Sequence, residues 1–233
     1  MKVRVIIPAS GSGSRVGSDI PKQFLPLGEQ SILWHTLDAF SRLDSIFEIA
    51  VAVQADFFDT VREYGFEKVK YIVEGRRHRA ESVYEALKIL PNDTDIVLVH
   101  DAARPFVSVD TIAHVIESAR CHGAAIACIP VTDTIKTVET HGIITATLDR
   151  NHLWRAQTPQ GFDYHLLKNA YQKGANDDIL SQVTDDSALV ERLGLPVHIV
   201  PDNSSNFKIT TANDLIMAET YMQKVISQAA QTV

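Results

Sequence analysis

After a short apolar run the chain reads Pro8-Ala9-Ser10-Gly11-Ser12-Gly13-Ser14-Arg15-Val16-Gly17, and Pro21-Lys22-Gln23-Phe24-Leu25 follows. Glycines let a backbone approach a ligand closely and turn its N–H groups toward an anion. Gly11 and Gly13 are candidates for such a cradle, with Arg15 and Lys22 as fixed positive charge beside it. The chemistry suggested is the holding of a phosphate. Two familiar phosphate loops do not match. A Walker loop needs Gly-x4-Gly-Lys, but Val16 stands five residues after Gly11. A dinucleotide fingerprint needs Gly-x-Gly-x-x-Gly running into a helix. Here Gly17 comes one residue late, and Pro21 and Pro26 keep a helix from starting at once.

A second candidate closes another apolar run, Val99-His100-Asp101-Ala102-Ala103-Arg104-Pro105. Open α/β sheets bind ligands outside the carboxyl ends of their strands. Mg²⁺ prefers one or two carboxylates plus phosphate oxygens, so Asp101 is the candidate metal ligand. A helix N-cap or an ion pair with Arg104 would explain the same residue. Glu74-Gly75-Arg76-Arg77-His78-Arg79-Ala80-Glu81-Ser82-Val83 ends a strand and opens a helix. Ser82 falls in the first turn, at the end that attracts anions, although plain capping accounts for it too. Asp149-Arg150-Asn151, Thr158-Pro159-Gln160 and Asn206-Phe207-Lys208-Ile209-Thr210 are weak signals taken singly. Nucleophilic catalysis has no support. There is no Gly-x-Ser-x-Gly, neither cysteine has a reactive context, and the nine histidines form no His-x-x-x-His pair. His35, His114 and His165 lie in helical patterns and read as structural.

These residues need a scaffold, and the hydropathy pattern supplies one. Val3–Pro8, Glu48–Val53, Val69–Val73, Asp95–Val99 and Ala124–Val131 read as strands. Ala80, Val83, Tyr84 and Leu87 repeat at helical spacing, as do Ile112, Val115, Ile116 and Ala119. Near-continuous apolar strands imply burial on both faces, hence an α/β fold with a mainly parallel sheet covered by helices. Asn213–Ile226 reads as a closing helix. Thr134–Leu148 breaks the rhythm: two β-branched stretches flank Thr140-His141-Gly142, which is a hairpin pattern. An isolated hairpin is marginal in water, so it must lie on its own sheet as an edge or reach another chain as an arm.

Composition narrows the function classes. The 233 residues are 45% apolar and 22% charged, as expected of one folded domain over 1–233 with no linker or repeat. The net charge of −7 disfavours extended nucleic-acid binding, while leaving room for a local basic pocket. No apolar run reaches the roughly 18 residues of a membrane span. The N-terminal apolar run is too short for a signal-peptide core, so a cytoplasmic protein is the expectation. Cys121 and Cys128 match neither a disulfide framework nor a zinc spacing, and both are expected to be buried thiols.

Together the segments resemble one family. The glycine-rich loop with Arg15 and Pro21-Lys22-Gln23-Phe24 is followed in order by Arg79-x-x-Ser82-Val83 and His100-Asp101-Ala102-Ala103-Arg104-Pro105. Then come Asp133-Thr134-Ile135-Lys136, Asp149-Arg150-Asn151, Thr158-Pro159-Gln160, Thr184-Asp185-Asp186 and Asn206-Phe207-Lys208-Ile209-Thr210. From about Val3 to Tyr221 the chain is similar to the 2-C-methyl-D-erythritol 4-phosphate cytidylyltransferases of non-mevalonate isoprenoid biosynthesis. The resemblance implies a Rossmann-like nucleotidyltransferase fold with a protruding β-hairpin arm, 134–150, that builds a homodimer. It implies the reaction of CTP with 2-C-methyl-D-erythritol 4-phosphate, assisted by Mg²⁺, to give 4-diphosphocytidyl-2-C-methyl-D-erythritol and pyrophosphate. By the same resemblance Arg15 and Lys22 hold the triphosphate, Lys208 lies at the reacting phosphates, and Asp101 binds the metal. Ser82 sits at the cytosine and ribose, with the backbone of Ala9, Ser10 and the residues around Gly75. Arg104 and Thr158 line the sugar phosphate, which Thr134 and Arg150 reach from the partner's arm. The chain departs from the family where two glycines are usual and it has Gly75-Arg76. It departs again at Arg77-His78, where an acidic residue is common, and at Ser10, where alanine is usual. A cytidylyltransferase for another polyol phosphate, such as ribitol 5-phosphate, and a non-catalytic CTP-binding protein are the alternatives.

Overall fold

The computed structural model describes residues 1–11 and 20–230. Of the anticipated site residues, Gly13 and Arg15 lie outside the described residues. In chain order the elements are β1 (Val3–Pro8), β2 (Pro26–Leu27), β3 (Gln30–Ser31), α1 (Ile32–Ser41), β4 (Ile46–Val53), α2 (Phe58–Glu63) and β5 (Val69–Glu74). Then follow α3 (Arg79–Ile89), β6 (Ile96–Val99), α4 (Val109–His122), β7 (Ala124–Pro130), β8 (Lys136–Val138) and β9 (Ile144–Thr147). The chain continues through β10 (Trp154–Asp163), α5 (Tyr164–Asn176), α6 (Ser187–Glu191), β11 (His198–Pro201) and α7 (Ala212–Ala230).

Seven strands form one sheet in the order β11-β7-β10-β6-β1-β4-β5. All neighbours are parallel except β10, which runs antiparallel to both β6 and β7. The α/β, mainly parallel architecture read from the sequence is therefore present, with one reversed strand inserted near its centre. Successive side chains of a strand point to opposite faces. Val3, Val5 and Ile7 of β1 accordingly join the cluster under α1, α2 and α4, while Ile6 joins the cluster under α3, α5 and α6. β6 does the same, with Ile96 and Leu98 on one face and Val97 and Val99 on the other. α1 opens on Ser31, whose hydroxyl accepts from the Trp34 N–H, and α4 on Ser108, which accepts from Thr111.

One open alternative closes and one expectation changes. The 134–148 hairpin is not an edge of the parent sheet: among the described residues β8 and β9 pair only with each other, and every residue of both strands is exposed. Cys128 is buried in β7, but Cys121 is an exposed free thiol. The buried stripe of α4 runs through Ile112, Val115, Ile116 and Ala119, and position 121 falls off that stripe.

Candidate active site

β1 and β6 are adjacent and parallel, so Pro8 and Val99 bring their carboxyl ends side by side. The strand order reverses there: β4 and β5 extend from one side of β1, β6 from the other. Such a switch point is where open α/β sheets bind ligands. A cavity of about 310 Å³ opens at this point, lined among others by Ser10, Gly11, Lys22, Arg77, Asp101 and Lys208. Ala9, another of the anticipated residues, borders it as well. A second cavity, about 280 Å³, lies beside it and is lined by Arg104, Gln157, Thr158, Gln160, Thr184 and Asp185. Arg79, Asp101 and Lys208 border both. The structure thus brings together most of the anticipated residues, and it divides them between two neighbouring spaces with a common wall.

The loop after β1 is held by polar contacts to its backbone. Gln23, itself buried, donates its amide to the carbonyls of Ala9 (2.5 Å) and Gly11 (3.1 Å). Gln54 donates to the Ser10 carbonyl at 3.0 Å. Lys22 starts a single 3₁₀ turn after Pro21, and its ammonium donates to the Ile209 carbonyl at 2.8 Å. The Ile209 N–H in turn donates to the Ala103 carbonyl, so the Lys22 turn, the β6 exit and the segment carrying Lys208 are fastened to one another. A small apolar cluster of Leu25, Leu27, Ala103, Ile209 and Ala218 stabilises the same junction.

On the other flank Gly75 follows β5 and approaches Ser10 closely. A Cβ at position 75 would stand 2.3 Å from the Ser10 Cβ. Ser82 is fully buried, and its hydroxyl lies 2.8 Å from that of Ser10. The Arg76 N–H donates to the Ser82 oxygen at 2.8 Å. Ser10 therefore faces the cavity, and Ser82 shapes the 76–78 turn from behind it.

Asp101 is the electrostatic centre. Its Oδ1 accepts from Arg79 Nε at 2.8 Å, and its Oδ2 lies 2.8 Å from Lys208 Nζ and 3.5 Å from Arg104 Nε. Burial alone would raise this carboxyl, but Arg79, Lys208 and Arg104 outweigh it and hold Asp101 well below the usual carboxylate range. Ion pairing, rather than capping, is its local role. For Arg104 burial dominates instead and lowers the guanidinium from its ordinary value. Its Nη1 donates to the Asn206 carbonyl at 2.7 Å, while the Asn206 amide donates to the Thr158 carbonyl.

Thr158 owes its place to an irregularity in β10. Between Ala156 and Gln160 the register against β7 slips, the kind of bulge that re-aims side chains beside active sites. The Thr158 hydroxyl accepts from the Asp101 N–H at 3.0 Å and meets His100 Nδ1 at 3.1 Å. His100 is fully buried, and burial pushes its imidazole down to about 4. Its Nε2 lies 3.0 Å from the Arg104 carbonyl and must carry the proton, which leaves Nδ1 to accept from Thr158. Thr134 and Arg150 border neither cavity. Both are exposed, and Arg150 donates to the Thr132 carbonyl at the base of the arm.

Gln23, Arg79, His100, Gln160 and Asp186 also contribute to the site. Local pattern gives them no role, because each acts through partners on other segments of the chain.

An open α/β sheet with a cation-rich double cavity at its switch point is suited to holding phosphorylated ligands, as nucleotidyltransferases do. The sequence profile of the 2-C-methyl-D-erythritol 4-phosphate cytidylyltransferases matches residues 3–224. A protein of that name from Syntrophus aciditrophicus is 42% identical over 228 residues, covering 96% of this chain and 97% of its own. Another from Alkaliphilus oremlandii is 43% identical over 223 residues, covering 94% of each. The crystal structure of 4-diphosphocytidyl-2C-methyl-D-erythritol synthase from Anaerococcus prevotii superposes with a TM-score of 0.85 at 32% identity, covering 95% of this chain and 96% of that one. The chain belongs to the 2-C-methyl-D-erythritol 4-phosphate cytidylyltransferase family. Among the described residues no helix is long and apolar enough to cross a membrane.

Proposed function

We propose that this enzyme transfers CMP from CTP to 2-C-methyl-D-erythritol 4-phosphate, releasing pyrophosphate, in isoprenoid precursor synthesis. The observation that carries the reading is the wall of Arg79, Asp101 and Lys208 shared by two polar cavities. A nucleotide in the first and a sugar phosphate in the second would meet at that wall. A phosphate oxygen of the acceptor attacks the α-phosphorus in line. The new P–O bond forms as the bond to the bridging oxygen of the β-phosphate breaks, and pyrophosphate leaves with the electron pair. A phosphate monoester is already anionic near neutrality, its second pKa being about 6, so no general base is required. The chemical demand is to gather two polyanions and neutralise charge in the transition state. Lys22 and Lys208 suit that task, and Arg15 is assigned to it by the family pattern.

Mg²⁺ is part of the proposal. Among the described residues no group of three or more His, Cys, Asp or Glu side chains could hold a metal. Mg²⁺ needs no such group, since it keeps waters and takes its other ligands from phosphates. Asp101 is the carboxylate that borders both cavities, so it suits an ion arriving with the nucleotide. When bound, the ion would supply charge neutralisation across the phosphates.

The functional unit we propose is a homodimer joined through the 134–150 arm. Support comes from Val138, Ile143 and Ile144, which stand 54%, 60% and 59% exposed on a hairpin with no other strand beside it. The free thiols of Cys121 and Cys128 agree with a cytoplasmic setting. Pyrophosphate release, measured with CTP and each polyol phosphate in turn, tests the reading. Release is expected with methylerythritol phosphate and not with ribitol 5-phosphate. Equal efficiency with both would overturn the substrate assignment, and no release with either would leave a CTP-binding protein.

A further inference from the structure

Asp186 is fully buried and borders neither cavity, yet it stands one side chain away from Asp101. The link is Arg79. Its Nε meets Asp101 Oδ1 at 2.8 Å, and its Nη2 meets Asp186 Oδ2 at 2.8 Å. The second contact is an ion pair misaligned for a hydrogen bond, since neither atom has a hydrogen-bond partner. Asp186 itself is fixed from three sides. The Tyr171 hydroxyl donates to its Oδ1. Its own N–H and that of Ser187 both donate to Gln160 Oε1, at 3.0 and 3.1 Å. Gln160 is tied in turn to Asp185, through Nε2 to Oδ2 at 3.1 Å.

We propose that Asp186 is a positioning residue, acting through Arg79 to keep one oxygen of the Asp101 carboxylate available to the active-site cation. The proposal rests on the reading of Asp101 as the metal ligand. A guanidinium beside a single carboxylate tends to grip both oxygens in a fork. Here the far end of Arg79 is held by a second, immobile anion, so Arg79 spends itself on Oδ1 alone. Oδ2 is left to Lys208 at 2.8 Å, whose side chain is 36% exposed and can exchange onto a phosphate, and to the more distant Arg104 Nε at 3.5 Å. The arrangement gives the Arg79-x-x-Ser82 and Thr184-Asp185-Asp186 segments a common purpose, since each supplies one end of the Arg79–Asp186 pair.

The test is Asp186→Asn, which keeps the shape and removes the charge. Binding of Mn²⁺ to the protein–CTP complex is followed by electron paramagnetic resonance, alongside the melting temperature and the KM for CTP at saturating metal. The Mn²⁺ midpoint should rise about tenfold, within the range expected for coupled neighbours, while the KM for CTP changes less than the midpoint does. Asp186→Glu should recover part of the shift. A lower melting temperature with an unmoved Mn²⁺ midpoint would make Asp186 merely structural and overturn the proposal. If Asp186→Asn does not fold, Tyr171→Phe removes one hydroxyl from the far side of Asp186 and should move the midpoint in the same direction. An unmoved midpoint there overturns the proposal equally. A wild-type CTP complex that takes up no Mn²⁺ would overturn the metal assignment and this relay together, whereas wild-type uptake with an unmoved variant midpoint sinks the relay alone.

Discussion

Lys22 illustrates how much a single side chain can be asked to do. Its ammonium is anchored on the Ile209 carbonyl and borders the first cavity, so its charge is held in place before any ligand arrives. Preorganised charge of this kind costs no rearrangement at the moment of reaction. Lys22→Ala should lower kcat by about 10²–10³, typical for losing one such contact, with the melting temperature falling by only about 2–4 °C for the lost bond to Ile209. A kcat within a few-fold of wild type would remove Lys22 from the catalytic set. At this scale the sequence revealed residue types well and partners poorly. Asp101 was legible because it closes an apolar run at a strand's carboxyl end. Of its three cations Arg104, three residues on, was legible as a partner, whereas Arg79 and Lys208 were not, because they arrive from other parts of the chain. His100 was illegible for another reason. A histidine that hydrogen-bonds only to a backbone carbonyl and a hydroxyl leaves no pattern in the chain.

Elements decide which of these residues can meet, and here the legibility was uneven. β1, β4, β6 and β7 were readable as apolar runs because both of their faces are covered, while β5, an edge strand with no buried residue, was readable from its β-branched and aromatic residues. β10 was not. It carries Gln157, Thr158, Pro159, Gln160 and Gly161, and a proline within a central strand argues against the assignment. Those polar residues are buried because the bulge aims them at the second cavity, so the function of the strand is what hid it. Gly75 shows the same dependence on contact between elements. The β5 exit and the β1 loop pass so close that a methyl group at position 75 would fall 2.3 Å from the Ser10 Cβ and 2.7 Å from its Oγ. Gly75→Ala should therefore destabilise the fold by about 1–3 kcal/mol, the usual cost of overpacking, and weaken CTP binding. Ser10→Gly in the same chain should recover more than half of that loss, read from paired denaturant titrations. Strict additivity of the two changes would show that the Ser10 contact is not the cause.

At the scale of the whole molecule, the arm is the feature a lone chain does not explain. It leaves the sheet between β7 and β10, at the end that carries the site, and its strands bury nothing. A two-stranded hairpin of this length is at best marginally stable in water, and exposed apolar side chains on it call for a covering surface. In the dimer proposed above, Arg150 serves the neighbour's second cavity, where a planar guanidinium grips a terminal phosphate with two bonds. Arg150→Ala should raise the KM for methylerythritol phosphate far more than that for CTP. The exchange of arms makes a stricter demand. Arg150→Ala and Lys22→Ala proteins are mixed, allowed to exchange subunits and assayed at limiting methylerythritol phosphate, where each alone is nearly inactive. In a mixed dimer one site combines an intact Lys22 loop with an intact Arg150 from the other chain. Random re-association makes half of the dimers mixed, with one good site of two, so activity should return to about a quarter of wild type. If each chain used its own Arg150, every site in the mixture would keep one defect and no activity would return. Mixed dimers verified by native mass spectrometry and still inactive would therefore rule out the exchanged arm.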